Sequence, residues 1–224
     1  MDRRRNTDVI VETLALEGKR VIDVGCGDGS LVRHMAKFGA QVLGVECSPY
    51  QLSKARAAAA VPRTEIVEGV GQALPAPSGQ TDIVVFFNSL HHVPPAFMGK
   101  ALEEAARVLC PGGQVYISEP LAEGLFFQTC RPVDDETEVR ALAYQALKAC
   151  TVLKPVQEFR YLHTMTMKTF SAFRERIISA NSEREARFDA MGEELQALFN
   201  ANGSRSEDGW NFEQPMRVNV LAKA

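Results

Sequence analysis

Three glycines, one aspartate and one glutamate have the spacing that points to chemistry. In VIDVGCGDGS, residues 21–30, the apolar Val21, Ile22 and Val24 read as a buried strand, and Gly25, Gly27 and Gly29 as a loop leading into a helix that begins near Ser30. Such a loop lets the backbone approach a ligand and aims the free N–H groups of a helix start at it. A dinucleotide fingerprint would read Gly-x-Gly-x-x-Gly. Here the third glycine comes one residue early, and Asp23 stands inside the strand two residues before the first. A carboxylate there repels a diphosphate and suits a ligand with cationic groups. S-adenosylmethionine, which carries ammonium and sulfonium charges and no phosphate, is such a ligand.

Glu46 closes the next apolar run, residues 41–45. An acid at that strand end can accept hydrogen bonds from two ribose hydroxyls at once, which suits any adenosine ligand and does not choose between nicotinamide and methionine types. A third candidate group is Asn88-Ser89-Leu90-His91-His92, directly after the apolar run 81–87. In an open parallel sheet, ligands sit beyond the carboxyl ends of the strands, so Asn88 is placed to meet a cofactor or acceptor. His91 and His92 are the candidates for a general base, since imidazole titrates near neutrality, with packing or anchoring of the loop as the alternative. His163 reads as a structural histidine, and no His/Asp/Glu spacing predicts a metal.

The elements that must position these groups alternate between strand and helix. A leading helix over 7–17 carries Ile10, Leu14 and Ala15, and a helix over 31–38 presents Leu31, Met35 and Phe38 on one side. Ser48-Pro49-Tyr50-Gln51 is a capping box with proline at the first helical position, opening a helix to about Ala60. Strands follow at 64–67 and 81–87, the latter apolar at nearly every position, as a central parallel strand should be. Pro95 opens a helix whose Met98, Ala101, Leu102, Ala105, Val108 and Leu109 read as core, and Pro111-Gly112-Gly113 turns into a strand at 114–118.

The ordered motifs VIDVGCGDG, VLGVECS, EGVGQALPAPSGQTDIVVFFNSLHHVP and RVLCPGGQVYISEP, covering roughly residues 18–120, resemble a class I S-adenosylmethionine-dependent methyltransferase of the small-molecule type. The resemblance implies a Rossmann-like, doubly wound, seven-stranded sheet in an α/β/α sandwich, mostly parallel, with a C-terminal antiparallel strand. It assigns the methionine end of the cofactor to Asp23, Gly25, Cys26 and Gly27, the ribose to Glu46, and the adenine to Cys47 and the loop at Gly71 and Gln72. Many members carry an aspartate in that loop to accept the adenine amino group. This chain has Val70 there, which leaves the role to Gln72 or a backbone carbonyl.

Beyond Pro120 only physical reading remains. Residues 121–153 read as an insertion that closes an acceptor pocket, with Leu125, Phe126 and Phe127 exposed unless they cover something, Arg131 a candidate for an anionic acceptor, and Asp134 capping a helix to about Cys150. An ordinary peripheral helix completing the core is the alternative. Residues 158–167 alternate as a strand, with Phe159, Tyr161, His163, Met165 and Met167 on one face. Phe170, Phe173 and Ile177 mark a short helix. Ser182 and Glu185 cap another reaching Asn200, with Phe188, Met191, Leu195, Leu198 and Phe199 inward. A last strand over 216–221, preceded by Trp210 and Phe212, closes the sheet.

A length of 224 residues with 46% apolar content suits one substantial core, so a single domain, 1–224, is expected: a cofactor core at 18–120, the insertion, and a C-terminal part at 154–224. A net charge of −3 gives no reason to expect nucleic acid, and Arg3, Arg4 and Arg5 read as a solvated end. Five scattered cysteines indicate neither zinc nor a disulfide framework, and Cys26, Cys47 and Cys110 read as buried or half-buried apolar residues. With no signal peptide or long apolar span, a cytoplasmic enzyme with a small-molecule acceptor is expected. The alternatives are a regulatory protein that binds S-adenosylmethionine without catalysis and, behind it, an NAD-dependent oxidoreductase. Oligomeric state is not legible.

Overall fold

The computed structural model describes residues 1–180 and 183–223. The chain forms two compact units. The larger comprises Asn6–Glu119, Ala141–Phe159 and Arg217–Ala224, and the smaller comprises Met1–Arg5, Pro120–Arg140 and Arg160–Met216.

In the larger unit, α1 (Asn6–Thr13) precedes β1 (Arg20–Val24), after which α2 (Ser30–Lys37), β2 (Gln41–Glu46), α3 (Pro49–Ala57), β3 (Thr64–Glu68), β4 (Thr81–Phe87), α4 (Pro95–Val108) and β5 (Leu109–Pro120) alternate. The later elements are α5 (Leu125–Cys130), α6 (Thr137–Ala149), β6 (Leu153–Met167), α7 (Phe170–Ala180), α8 (Arg184–Ala190), α9 (Gly192–Asn202), β7 (Ser204–Ser206) and β8 (Gly209–Lys223). The sheet order is β3-β2-β1-β4-β5-β8-β6, with β7 paired to β8 off this path. The pairs β1–β2, β2–β3, β1–β4 and β4–β5 are parallel, and β7–β8 is antiparallel. The expected doubly wound sheet is therefore present, with one short strand beyond the seven.

Strand period fixes what each face does. Ile22, Val24, Val84, Phe86, Val115 and Ile117 share one face, where α4 contributes Met98, Ala101, Leu102 and Ala105 and α6 contributes Ala143 and Leu147. Full burial of side chains of this size contributes roughly 1.5–3 kcal/mol each, so the rows hold the strands rigidly in register. The chain steps outward from β1 to β3 and returns to β4 beside β1. The connections diverge at that point, and in an open parallel sheet the carboxyl ends of the strands beside such a point, here β1 and β4, are where ligands sit.

Several local expectations are corrected. α1 stops at Thr13 and buries Val9 and Ile10; beyond it Leu16, not Ala15, turns inward. In α2 the buried residues are Val32, Met35 and Ala36, whereas Phe38 is 45% exposed. α6 begins at Thr137, and its first turn is held by Asp135, whose carboxylate accepts from the Thr137 N–H, not by Asp134. The single helix expected to end at Asn200 is two, α8 and α9, broken at Met191; its Ser182 cap lies outside the described residues. β8 starts at Gly209 and takes in Trp210 and Phe212, because antiparallel pairing with β7 extends it. Cys47 is exposed.

The smaller unit has its own core of Cys130, Val133, Met167, Phe173, Ile177, Phe188, Leu195, Phe199 and Phe212. Phe126 meets Phe173 and Phe212 edge-on at 6.2 and 6.1 Å, and Phe127 is buried under the Arg140 guanidinium. Two of the three apolar residues at the start of α5 are thus packing groups, and Arg131 pairs with Asp135 one turn on. Among the described residues no helix is long and apolar enough to cross a membrane.

Candidate functional site

Asp23 lies within β1, in register with Gly44 of β2 and Val85 of β4, on the face opposite Ile22 and Val24. Its side chain is buried, and neither carboxylate oxygen has a hydrogen-bond partner. Burial, with the charge of Glu46 second, pushes its pKa up to about 7. A buried carboxylate without donors is costly, so this position is spent on something other than stability.

The glycine loop follows directly. Gly25, Gly27 and Gly29 all have positive φ, 70°, 57° and 75°, a region that side chains enter at a cost. At Gly25 a Cβ would also stand 2.7 Å from the Ser89 Cβ, whereas above Gly27 there is open space. Gly29 caps α2, and Cys26 is buried beside Asp23 and Glu46, whose charges join burial in raising its thiol pKa. Gly44 was missed in the sequence. A Cβ there would stand 2.7 Å from the Cys26 sulfur, so the glycine lets the loop fold back onto β2; a lone glycine inside an apolar strand is the signal.

Glu46 is buried at the end of β2. It accepts from the N–H groups of Gly27 (2.8 Å), Cys47 (2.9 Å) and Ser48 (2.8 Å). The second glycine is thus tied to the acid, and the Ser48 hydroxyl in turn accepts from the Gln51 N–H to cap α3. After β3, Ala73 N–H donates to Val70 C=O and closes a tight turn. Gly71 is buried against Val24, Val93 and Ala101, Gln72 is half-buried, and Val70 is exposed.

At the end of β4, Asn88 has φ of 54°, and its side-chain oxygen is buried without a partner. A left-handed non-glycine residue with an unsatisfied amide marks a site held in shape by its surroundings. Here the Asn88 N–H donates to Ser118 C=O, and the Ser89 hydroxyl donates to Val24 C=O at 2.6 Å. Leu90–His92 form one 3-10 turn. Glu119, a buried residue the sequence did not single out, accepts from the Leu90 N–H at 2.9 Å and meets His91 Nδ1. His91 is therefore buried against a carboxylate. His92 is exposed, with its ring 4.0 Å from that of His91.

The carboxyl ends of β1, β2 and β4 thus bring together Asp23, Gly25, Cys26, Gly27, Glu46, Cys47 and Asn88, with Gly71 and Gln72 on the loop after β3. A concavity of about 560 Å³ also opens at the amino ends of the strands, along Arg20, Gln41, Arg63 and Thr81. It holds none of these groups.

The parallel sheet with its switch point, the glycine loop and the two acids are the features that the resemblance to class I S-adenosylmethionine-dependent methyltransferases implies. Residues 22–117 match the model of the methyltransferase domain family. Among curated relatives, an uncharacterized methyltransferase of Synechocystis sp. is 36% identical over 104 residues, 46% of this chain and 48% of that protein. The ubiquinone biosynthesis O-methyltransferase of Stutzerimonas stutzeri is 40% identical over 114 residues, 49% and 47% of the two chains. The chain thus spans about half the length of the curated relatives it matches. Two solved structures share the fold: the [4+2]-cyclase SpnF, with TM-score 0.66 and 20% identity over 97% of this chain and 80% of that one, and YcgJ of Bacillus subtilis, with TM-score 0.63 and 18% identity over 97% of each.

Proposed function

We propose that the protein transfers a methyl group from S-adenosylmethionine to a small-molecule acceptor. The observation that carries this reading is the buried, unpartnered carboxylate of Asp23 beneath a glycine loop, an arrangement that a cationic ligand satisfies and a diphosphate does not. This also weighs against the oxidoreductase alternative. When bound, the cofactor supplies a methyl group already activated on a sulfonium.

The chain's own residues then bind and orient. Asp23 and the open backbone at Gly27 take the amino-acid end. Glu46 takes the ribose, but with a restriction the sequence could not reveal. A carboxylate has about four lone-pair sites. The N–H groups of Gly27, Cys47 and Ser48 already take three. Accepting both ribose hydroxyls therefore requires one backbone N–H to let go, and Gly27 is the one of the three that lies on the ligand loop. Gly71, Gln72 and Cys47 border the adenine.

Of the two histidines, His91 is committed to Glu119 and anchors the turn, so His92 is the member exposed to meet a proton on an acceptor. The relatives named O-methyltransferases make an oxygen nucleophile the first acceptor to test. A hydroxyl holds its proton firmly enough to need a base. Orientation and exclusion of water supply the rest, up to roughly 7–11 kcal/mol.

The test is incubation of the protein with methyl-labelled S-adenosylmethionine and a metabolite extract, followed by mass spectrometry, alongside calorimetric binding of S-adenosylhomocysteine. A labelled small molecule is expected. Binding with no labelled product leaves the regulatory reading, and no binding removes the cofactor.

A further inference from the structure

The connection from β3 to β4, residues 69–80, crosses to the other side of β1 without a helix. Such crossovers in parallel sheets normally carry one, which both covers the sheet and fixes the loop at the strand's carboxyl end. Here one pair on α4 holds the connection instead. Arg107 Nη1 donates to Ala76 C=O at 2.9 Å and to the Ser78 hydroxyl at 3.2 Å, and Nη2 donates to Leu74 C=O at 3.0 Å. Nε and Nη2 also donate to the two oxygens of Glu104 at 2.9 and 2.8 Å. All five N–H donors of the guanidinium are thereby used. Glu104, buried, accepts in addition from the Leu74 N–H at 3.0 Å. The Gly79 and Gln80 N–H groups donate to the backbone of Arg107 and Val108. Hydrogen bonding between the partners holds the Glu104 carboxyl below its ordinary pKa and the Arg107 guanidinium above its own, so the pair stays ionised.

The near end of the same connection lies against the carboxyl ends of β2 and β1. Gly69 N–H donates to Glu46 C=O, and Gly71 is wedged between Val24, Val93 and Ala101 of α4. A loop following the carboxyl end of β3 lines the ligand crevice of an open parallel sheet. We infer that Glu104 and Arg107 are positioning residues that stand in for the absent helix, and that through residues 69–76 they set the affinity for the nucleoside half of the ligand. The inference rests on the proposed cofactor reading only in its second clause.

Lysine keeps the charge but cannot reproduce a five-donor planar fork. Arg107→Lys is therefore expected to raise the Kd for S-adenosylhomocysteine about tenfold or more at 20 °C, as the loss of one or two hydrogen bonds' worth of positioning would. Labelled-product kcat at saturating cofactor should change less than the cofactor KM. In unliganded protein, hydrogen exchange of the amides of residues 69–80 should accelerate while those of β1 and β4 do not. A general loss of stability lowers the melting temperature but leaves Kd unchanged in protein that is still folded, so Kd separates the two roles. Glu104→Gln, a milder change, is expected to move the same readouts in the same direction and serves if the lysine variant does not fold. Exchange confined to 69–80 with no binding of S-adenosylhomocysteine by the parent protein would sustain the clamp and remove the cofactor reading. Unchanged exchange, or a Kd within twofold of the parent in a folded variant, overturns the inference.

Discussion

Asp23→Asn is the perturbation that bears most directly on the site. In the unfolded chain the carboxyl titrates near 3.8, and in the fold its pKa lies at about 7. The folded state therefore keeps a proton that the unfolded state has lost between these values. Stability falls as pH rises through that window and is flat above it, by about 4 kcal/mol for a shift of about three units. Asparagine has the same shape and no titration, so the variant should lack this decline and be the more stable protein at pH 8. Binding runs the other way. A ligand ammonium favours the ionised carboxylate, so at pH 6 association should expel about 0.9 proton, and at pH 8 about 0.1. Affinity for S-adenosylhomocysteine should rise about fivefold from pH 6 to pH 7 and nearly twofold more by pH 8, about tenfold in all, before it levels off. Calorimetry in two buffers of different ionisation enthalpy measures the proton count directly, and urea unfolding between pH 5 and 8 measures the stability slope. An affinity flat from pH 6 to 8 with no proton released, or an asparagine variant binding as tightly as the parent, would refute the role given to Asp23.

Other outcomes follow from the same geometry. Gly25→Ala meets both a positive φ and the Ser89 Cβ, so a loss of about 2–3 kcal/mol in chemical denaturation is expected, with weaker ligand binding in what remains folded. Glu46→Gln removes the charge that three backbone N–H groups share; one amide oxygen cannot serve all three, and urea titration should show a cost of about 1–3 kcal/mol beside a raised Kd. Glu119→Ala strands the Leu90 N–H and His91 in a buried turn and should lower stability by about 2–3 kcal/mol. His92→Gln, at an exposed position, should cost less stability than Glu119→Ala and lower kcat with an acceptor that must lose a proton, by roughly 10²-fold or more; equal stability losses in both variants would contradict the division of labour between the histidines.

The sheet was legible because its signals are local. Val21, Ile22 and Val24, the apolar run of β4 and the capping box at Ser48 each announce their element within a few residues. Glycine spacing and Asp23 were readable for the same reason. Less was legible where a residue's role depends on a partner far along the chain. Glu119 reads as an ordinary strand-end acid until β5 is laid beside β4, when it reaches Leu90 and His91. Arg107 reads as a helix-surface charge until the 69–80 connection is folded onto α4. The break between α8 and α9 is hidden because the helical apolar spacing of Phe188, Met191 and Leu195 runs across it, and the early start of β8 depends on its pairing with β7.

By itself, then, the sequence determined the alternation of strands and helices, the positive-φ loop and the acids flanking it, because each of these depends on periodicity or on a single residue's backbone preference. Tertiary structure alone decided that Asp23 is without donors, that Glu46 has three of its lone-pair sites already taken, and that one histidine of the pair is locked while its neighbour is exposed. Protonation and hydrogen-bonding capacity belong to the surroundings of a group, and only folding assembles those surroundings from distant segments of the chain.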